Sequence, residues 1–266
     1  MKTTLLKLSV LGLATTALAP LPLLAKHHEA AETETMGTID VAATQAALTA
    51  AQGRSDEDKT RDASRKPAEV LAFLGLEKGD VVLDLIASGG WYSVAAAIAT
   101  GPEGKVYAQN PAEALKIRDG AYETEIAARL AANDLPQIER LNREITDLGV
   151  ANDSVDVAIT ALNFHDVYNS YGATAATGML LAVKAKLKPG GSFGLIDHVG
   201  DPDGDNKAHH RIDPALAVAV AEAAGFIVER DENLLAGDGD DHGKNVFDPA
   251  VRGKTDRFIL KLTKPE

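Results

Sequence analysis

From residue 81 onward the chain alternates short apolar runs with helix-forming stretches, and this alternation constrains its fold more than any other feature. The runs at 81–86, 106–108, 155–162 and 192–196 are mostly apolar, and 138–141 reads as a further short strand. Runs this short and this apolar suit strands buried on both faces of a parallel sheet. Residues 91–100, 111–132, 174–187 and 214–224 read as helices between or after them, the last closed by Gly225. Such alternation predicts an α/β architecture: three layers, doubly wound, with a mostly parallel sheet. Two further strands, 226–235 and 257–262, follow with no helix between them, so an antiparallel C-terminal hairpin is expected at a sheet edge. Ligands of such sheets bind beyond the C-terminal strand ends, where the winding reverses. That rule points to residues 84–91.

Upstream, 40–52 is an Ala-rich helix candidate. Ser55 precedes Asp56, Glu57 and Asp58, an N-cap followed by an acidic first turn. Lys66-Pro67 opens another helix that stops at Gly75. The chain of 266 residues suits one domain, expected over 40–266, with N-terminal helices over 40–75 and the α/β core over 76–264. With no cysteine, disulfides, thiolate metal sites and cysteine nucleophiles are excluded. The formal net charge is −12, which argues against nucleic acid and anionic membrane as partners and leaves a small-molecule substrate as the expectation.

The N-terminus carries Lys2 and Lys7 before an apolar stretch, 8–18, too short to span a bilayer. This reads as a signal peptide over 1–25, cleaved before Lys26, and places the protein in the periplasm or outside the cell. Residues 26–39, with His27-His28, read as a flexible polar leader. No second segment is apolar enough to span, so no stable membrane insertion is expected after cleavage.

Three segments carry a family resemblance. Residues 81–93 (VVLDLIASGGWYS) place an acid and glycines just after the first strand. Residues 152–156 (NDSVD) make a turn into the fourth strand, and 187–198 (LKPGGSFGLIDH) combine a helix stop, a tight turn and a fifth strand. With Ala223-Ala224-Gly225-Phe226 before the sixth strand, the order resembles the class I, Rossmann-like S-adenosylmethionine-dependent methyltransferases. The segment FHDVY and the ending RGKTDRFILKL also resemble an exported subgroup of predicted methyltransferases. The resemblance implies S-adenosylmethionine as cofactor. It implies cofactor contacts from Asp84, Ser88, Gly89, Gly90, Asn110 and Asn163, with Asp84 toward the methionine amino group. Two departures stand out. The family's glycine loop has Ile86 and Ser88 at two of its three glycine positions, and Asn110 stands where an acid usually receives the ribose hydroxyls.

On the acceptor side, His165 and Asp166 follow the fourth strand and His198 follows the fifth. They are the candidate catalytic residues, with a histidine as general base. Trp91, beside Gly90, and Arg211, as a bidentate carboxylate ligand, are candidate substrate contacts. The leading expectation is methyl transfer to a small-molecule O or N acceptor. A second is an inactive binding protein on the same fold, given Ile86, Ser88 and Asn110. A third is a metal-dependent hydrolase or lyase using His165, His198 and His209 or His210. The histidine spacing does not match any common metal motif, so no metal ligand is assigned.

Overall fold

The structure, a computed structural model, describes residues 37–266. The expected signal peptide and the leader up to Met36 lie outside the described residues. Thr38 already bridges to Glu77, and Ile39 is buried in the core. In chain order the elements are α1 (Val41–Ala50), α2 (Asp56–Arg65), α3 (Pro67–Phe73), β1 (Val81–Leu85), α4 (Trp91–Thr100), β2 (Lys105–Gln109), α5 (Ala112–Asn133), β3 (Ile138–Leu141), β4 (Val155–Ala161), α6 (Phe164–Lys186), β5 (Leu187–His198), α7 (Asn206–His209), α8 (Pro214–Ala223), β6 (Ile227–Asp231) and β7 (Arg257–Thr263). Among the described residues no helix is long and apolar enough to cross a membrane.

One seven-stranded sheet has the order β3-β2-β1-β4-β5-β7-β6. All neighbours pair parallel except β7, which runs antiparallel to both β5 and β6. The expected C-terminal hairpin is therefore present, with β7 inserted inside it and β6 at the edge. Alternation along β1 builds a core on each face. Leu83 and Leu85 pack with Phe193, Leu180, Val183 and Val220, under α6 and α8, whereas Val82 packs with Leu71, Leu74, Tyr92 and Ala96, under α3 and α4. The small side chains of α4 let that helix lie close on the sheet, and nine of its ten residues are buried.

Local signals act as read. Ser55 Oγ accepts from Asp58 N at 3.1 Å, and Pro67 opens α3 where its missing N–H costs nothing. Three expectations shift. The helix expected over 174–187 is the second part of α6; the first part starts at Phe164 and joins it through Gly172 (φ 81°, ψ 175°). The turn expected at 188–191 lies within β5, where Leu187 pairs with Val155 and the register slips before Ser192 meets Val157. The sixth strand is shorter than expected, ending at Asp231.

Winding runs from β1 through β2 to β3 on one side and from β4 to β5 on the other. The reversal falls between β1 and β4. The C-terminal ends of β1, β2, β4 and β5 all open there, and the candidate residues cluster around it.

Candidate functional site

Asp84 lies near the end of β1 and is 3% exposed. Ser93 Oγ donates to its Oδ2 at 2.6 Å. Among the described residues no cation touches it. Burial pushes its pKa up to about 7, and hydrogen bonds from Ser93 only partly offset that push.

The loop after β1 is held from two sides. Ile86, Ser88 and Gly90 all take left-handed conformations, with φ of 54°, 51° and 78°. For β-branched Ile86 this backbone is strained, and neighbouring side chains enforce it. Ile86 N donates to Gln109 Oε1 at 3.0 Å, while Gln109 Nε2 donates to Arg143 O at 2.6 Å. Asn110 closes a two-way clasp: Ser88 N donates to its Oδ1 at 2.8 Å, and its Nδ2 donates to Ser88 O at 3.1 Å. The Asn110 amide thus shapes the loop, using its oxygen and one of its two N–H groups. From the other side Arg129 of α5 donates to Gly89 O and holds Asp58 of α2 through a forked pair at 3.0 and 2.9 Å. A Cβ at Gly89 would lie 2.5 Å from Glu125 Oε2 and 3.0 Å from Arg129 Nη1, so a larger residue there would have to push these side chains aside.

Asn163 ties the two halves of the site together. Its Nδ2 donates to Ile86 O at 3.2 Å and to Ala161 O at 2.8 Å, joining the loop ends of β1 and β4. The next residue, Phe164, is fully buried in the core. Burying it contributes about 1.5–3 kcal/mol and fixes the first turn of α6, which carries His165 and Asp166.

His165 leans on Asp197 at the end of β5. Asp197 Oδ2 accepts the His165 backbone N–H at 2.7 Å, Oδ1 lies 2.7 Å from His165 Nδ1, and Oδ1 also accepts His198 N at 2.8 Å. Nε2 of His165 faces Asp166 Oδ1 at 3.2 Å, and Nδ1 of His210 lies 3.1 Å from that same oxygen. Burial alone would lower the His165 pKa. Asp197 and Asp166 outweigh burial and raise it to about 10, so the ring is charged at neutral pH. His198 is the reverse case. Its ring centroid is 6.0 Å from that of His165, its Nδ1 is paired with Thr255 Oγ1 at 2.8 Å, and burial pushes its pKa down to about 3. Two adjacent histidines therefore sit in opposite charge states.

The structure brings Asp84, Ser88, Gly89, Gly90 and Asn163 together on the β1 side, and His165, Asp166 and His198 together on the β4–β5 side. Two expected substrate contacts do not fit that role. Arg211 is fully buried, with its fork on Asp240 at 2.9 Å twice and further bonds to Val199 O and Lys244 O. It pins the 236–253 loop and has no free edge for a carboxylate. Trp91 is buried with its Nε1 on Asp58 O at 3.2 Å and the guanidinium carbons of Arg65 and Arg54 at 5.0 and 5.7 Å from its ring. It braces α2 against α4. His209 stays outside the histidine cluster, whereas His210 joins it and stacks edge-on with Phe247, which is 61% exposed. Asp197 was readable as an acid at a strand end, but nothing in its sequence context shows that it serves the histidine of another strand.

Solved structures share this architecture. A SAM-dependent methyltransferase from Aquifex aeolicus superposes with a TM-score of 0.58 at 19% identity, covering 85% of this chain and 98% of its own. The fold is that of the class I methyltransferases. A SAM-dependent O-methyltransferase from Thermotoga maritima matches with a TM-score of 0.51 at 16% identity, over 76% of this chain and 65% of its own. A protein from Bordetella parapertussis described as a possible exported protein matches with a TM-score of 0.52 at 16% identity, over 86% and 80%. No family model matches the chain, and no curated protein matches its sequence.

Proposed function

We propose that this protein is an S-adenosylmethionine-dependent methyltransferase acting on a small-molecule O or N acceptor. The observation that carries this reading is Asp84: a buried carboxyl at the point where the winding reverses, partnered by a hydroxyl and, among the described residues, by no cation. Burying such a group is costly unless a counter-charge arrives. The ammonium of a methionine moiety supplies one. On this test the residues fit the cofactor at its amino-acid end, where Asp84, the backbone of 88–90 and Asn163 would hold it. Asn110 acts indirectly, by keeping the loop shaped through Ser88. When bound, S-adenosylmethionine supplies an electrophilic methyl group on a sulfonium.

The rest is done by the chain's own groups. Asn163 sets the spacing between the β1 and β4 loop ends. His165, charged and oriented by Asp197, orders the acceptor end of the site through Asp166. His198, neutral and held by Thr255, lines the same end. Positioning of this kind accounts for much of the rate in such reactions. The strong negative charge of the chain fits a small acceptor and disfavours nucleic acid. The N-terminal pattern of Lys2, Lys7 and the apolar 8–18 stretch supports export to the periplasm or beyond.

The test is calorimetry with S-adenosylhomocysteine. Saturable binding to the wild-type protein, weakened at least tenfold in Asp84→Ala, is expected. No heat at millimolar ligand, with the protein folded by circular dichroism, would leave the fold as a scaffold for another ligand.

A further inference from the structure

Behind the acceptor side, three groups from two parts of the chain converge on a single point. His165 Nε2, an Asp166 carboxylate oxygen and a ring nitrogen of His210 all lie within 4.8 Å of one another. Two of the separations, both to Asp166 Oδ1, are 3.2 Å from His165 Nε2 and 3.1 Å from His210 Nδ1. Donors held about 2.0–2.2 Å from one ion in tetrahedral or octahedral geometry sit about 3.0–3.5 Å apart. Two of the three separations match a coordination shell, and the third, between the histidine nitrogens, lies within 4.8 Å. The outer layer is built too. Asp197, fully buried, lies 2.7 Å from His165 Nδ1 and anchors the backbone N–H groups of His165 and His198. A carboxylate behind a ligating histidine fixes its tautomer and strengthens it as a donor. Phe247 packs its ring edge-on against His210, with centroids 5.1 Å apart, and limits that ring's motion.

We propose that His165, Asp166 and His210 bind one divalent first-row transition ion, Zn²⁺ or Co²⁺ in the test below. Two imidazoles and one carboxylate favour such borderline ions over Mg²⁺ or Ca²⁺, which want all-oxygen shells. The ion displaces the proton that His165 Nε2 otherwise shares with Asp166. Three protein ligands leave at least one position open toward the exposed Asp166 side. Taken with the methyltransferase reading, on which this role alone rests, that open position takes the acceptor's oxygen or nitrogen and lowers its pKa, so that its proton leaves to solvent.

The test titrates Co²⁺ and Zn²⁺ into the full mature chain. His27-His28 could bind metal loosely, so the titration is repeated on a His27→Ala/His28→Ala variant. Expected are one Zn²⁺ per chain by calorimetry with proton release, and visible Co²⁺ d–d absorption. Both persist in His27→Ala/His28→Ala and are lost in His210→Ala and Asp166→Asn. Asp197→Asn should weaken the site about 10–100-fold. His210 is half-buried and its ring is not in the core, so His210→Ala should keep its fold by circular dichroism and its S-adenosylhomocysteine binding. Co²⁺ absorption that disappears with His27 and His28 but survives in His210→Ala would overturn the proposal, as would no binding at all. Metal binding without S-adenosylhomocysteine binding would leave the ion site standing and remove the methyltransferase reading.

Discussion

Asp84→Asn should make the protein more stable at alkaline pH while impairing ligand binding. The folded-state pKa of Asp84 is raised from 3.8 to about 7 by burial. The native state therefore binds more protons than the unfolded chain between those values, and stability falls as pH rises from about 4 to 7. Above that window the ionised carboxyl costs the folded state about 4 kcal/mol, from a shift of about three units. Asn keeps the size and can still accept from Ser93 Oγ. Its buried NH₂ lacks a partner, which costs about 1–3 kcal/mol. The net gain is about 1–3 kcal/mol at pH 8, and a small loss at pH 4. For a domain of this size that is a rise in Tm of about 2–10 °C at pH 8. Thermal unfolding of both proteins at pH 4, 6 and 8, with and without S-adenosylhomocysteine, reads this directly. Wild type should gain most from ligand at pH 8, and Asp84→Asn should gain little. An Asp84→Asn protein less stable than wild type by the same amount at every pH would refute the reasoning, because Asp84 would then be a satisfied group.

Three further outcomes follow from the other buried groups. The raised pKa of His165 stabilises the fold fully below about pH 6.5 and loses that contribution as pH rises toward about 10. Asp197→Asn should therefore destabilise by about 3–5 kcal/mol at pH 6 and flatten the alkaline limb of a stability-versus-pH curve. Arg211→Ala strands Asp240 and should cost about 3–5 kcal/mol by denaturant unfolding; Arg211→Lys should not rescue it, because the fork is bidentate. Asn110→Asp turns a carboxylate oxygen toward Ser88 O in place of the amide donor, so it should lower Tm and weaken S-adenosylhomocysteine binding relative to wild type. If Asn110→Asp instead binds the ligand more tightly, Asn110 meets the ribose and the clasp with Ser88 opens on binding.

Much of this was legible from period and punctuation. Residues 91–100 and 138–141 match α4 and β3 at both ends, the first because Gly101-Pro102 stops an Ala-rich run. The first part of α6 was not legible: Asn169, Ser170 and Gly172 are weak helix formers, and the helix was expected only from residue 174. The chain does break at Gly172, but inside a helix whose first turn is held by Phe164 in the core.

Within the site, position was legible and partnership was not. Asp84, His165 and His198 could be placed at strand ends because strand order follows from alternation. Whether a side chain faces a ligand depends on what else reaches it. Arg211 and Trp91 carry groups suited to a ligand, yet Asp240 and the Asp58 carbonyl take them first, from 29 and 33 residues away in sequence. Asn110 shows the same effect more sharply. Ser88's backbone takes its amide oxygen and one of its two N–H groups. The left-handed backbone at Ile86 and Ser88 stands on that clasp together with Gln109. The left-handed Ile86 and Ser88 and the neutral amides of Gln109 and Asn110 thus depend on one another: the amides hold the strained turn that those side chains occupy. That coupling makes a single exchange at Asn110 harmful.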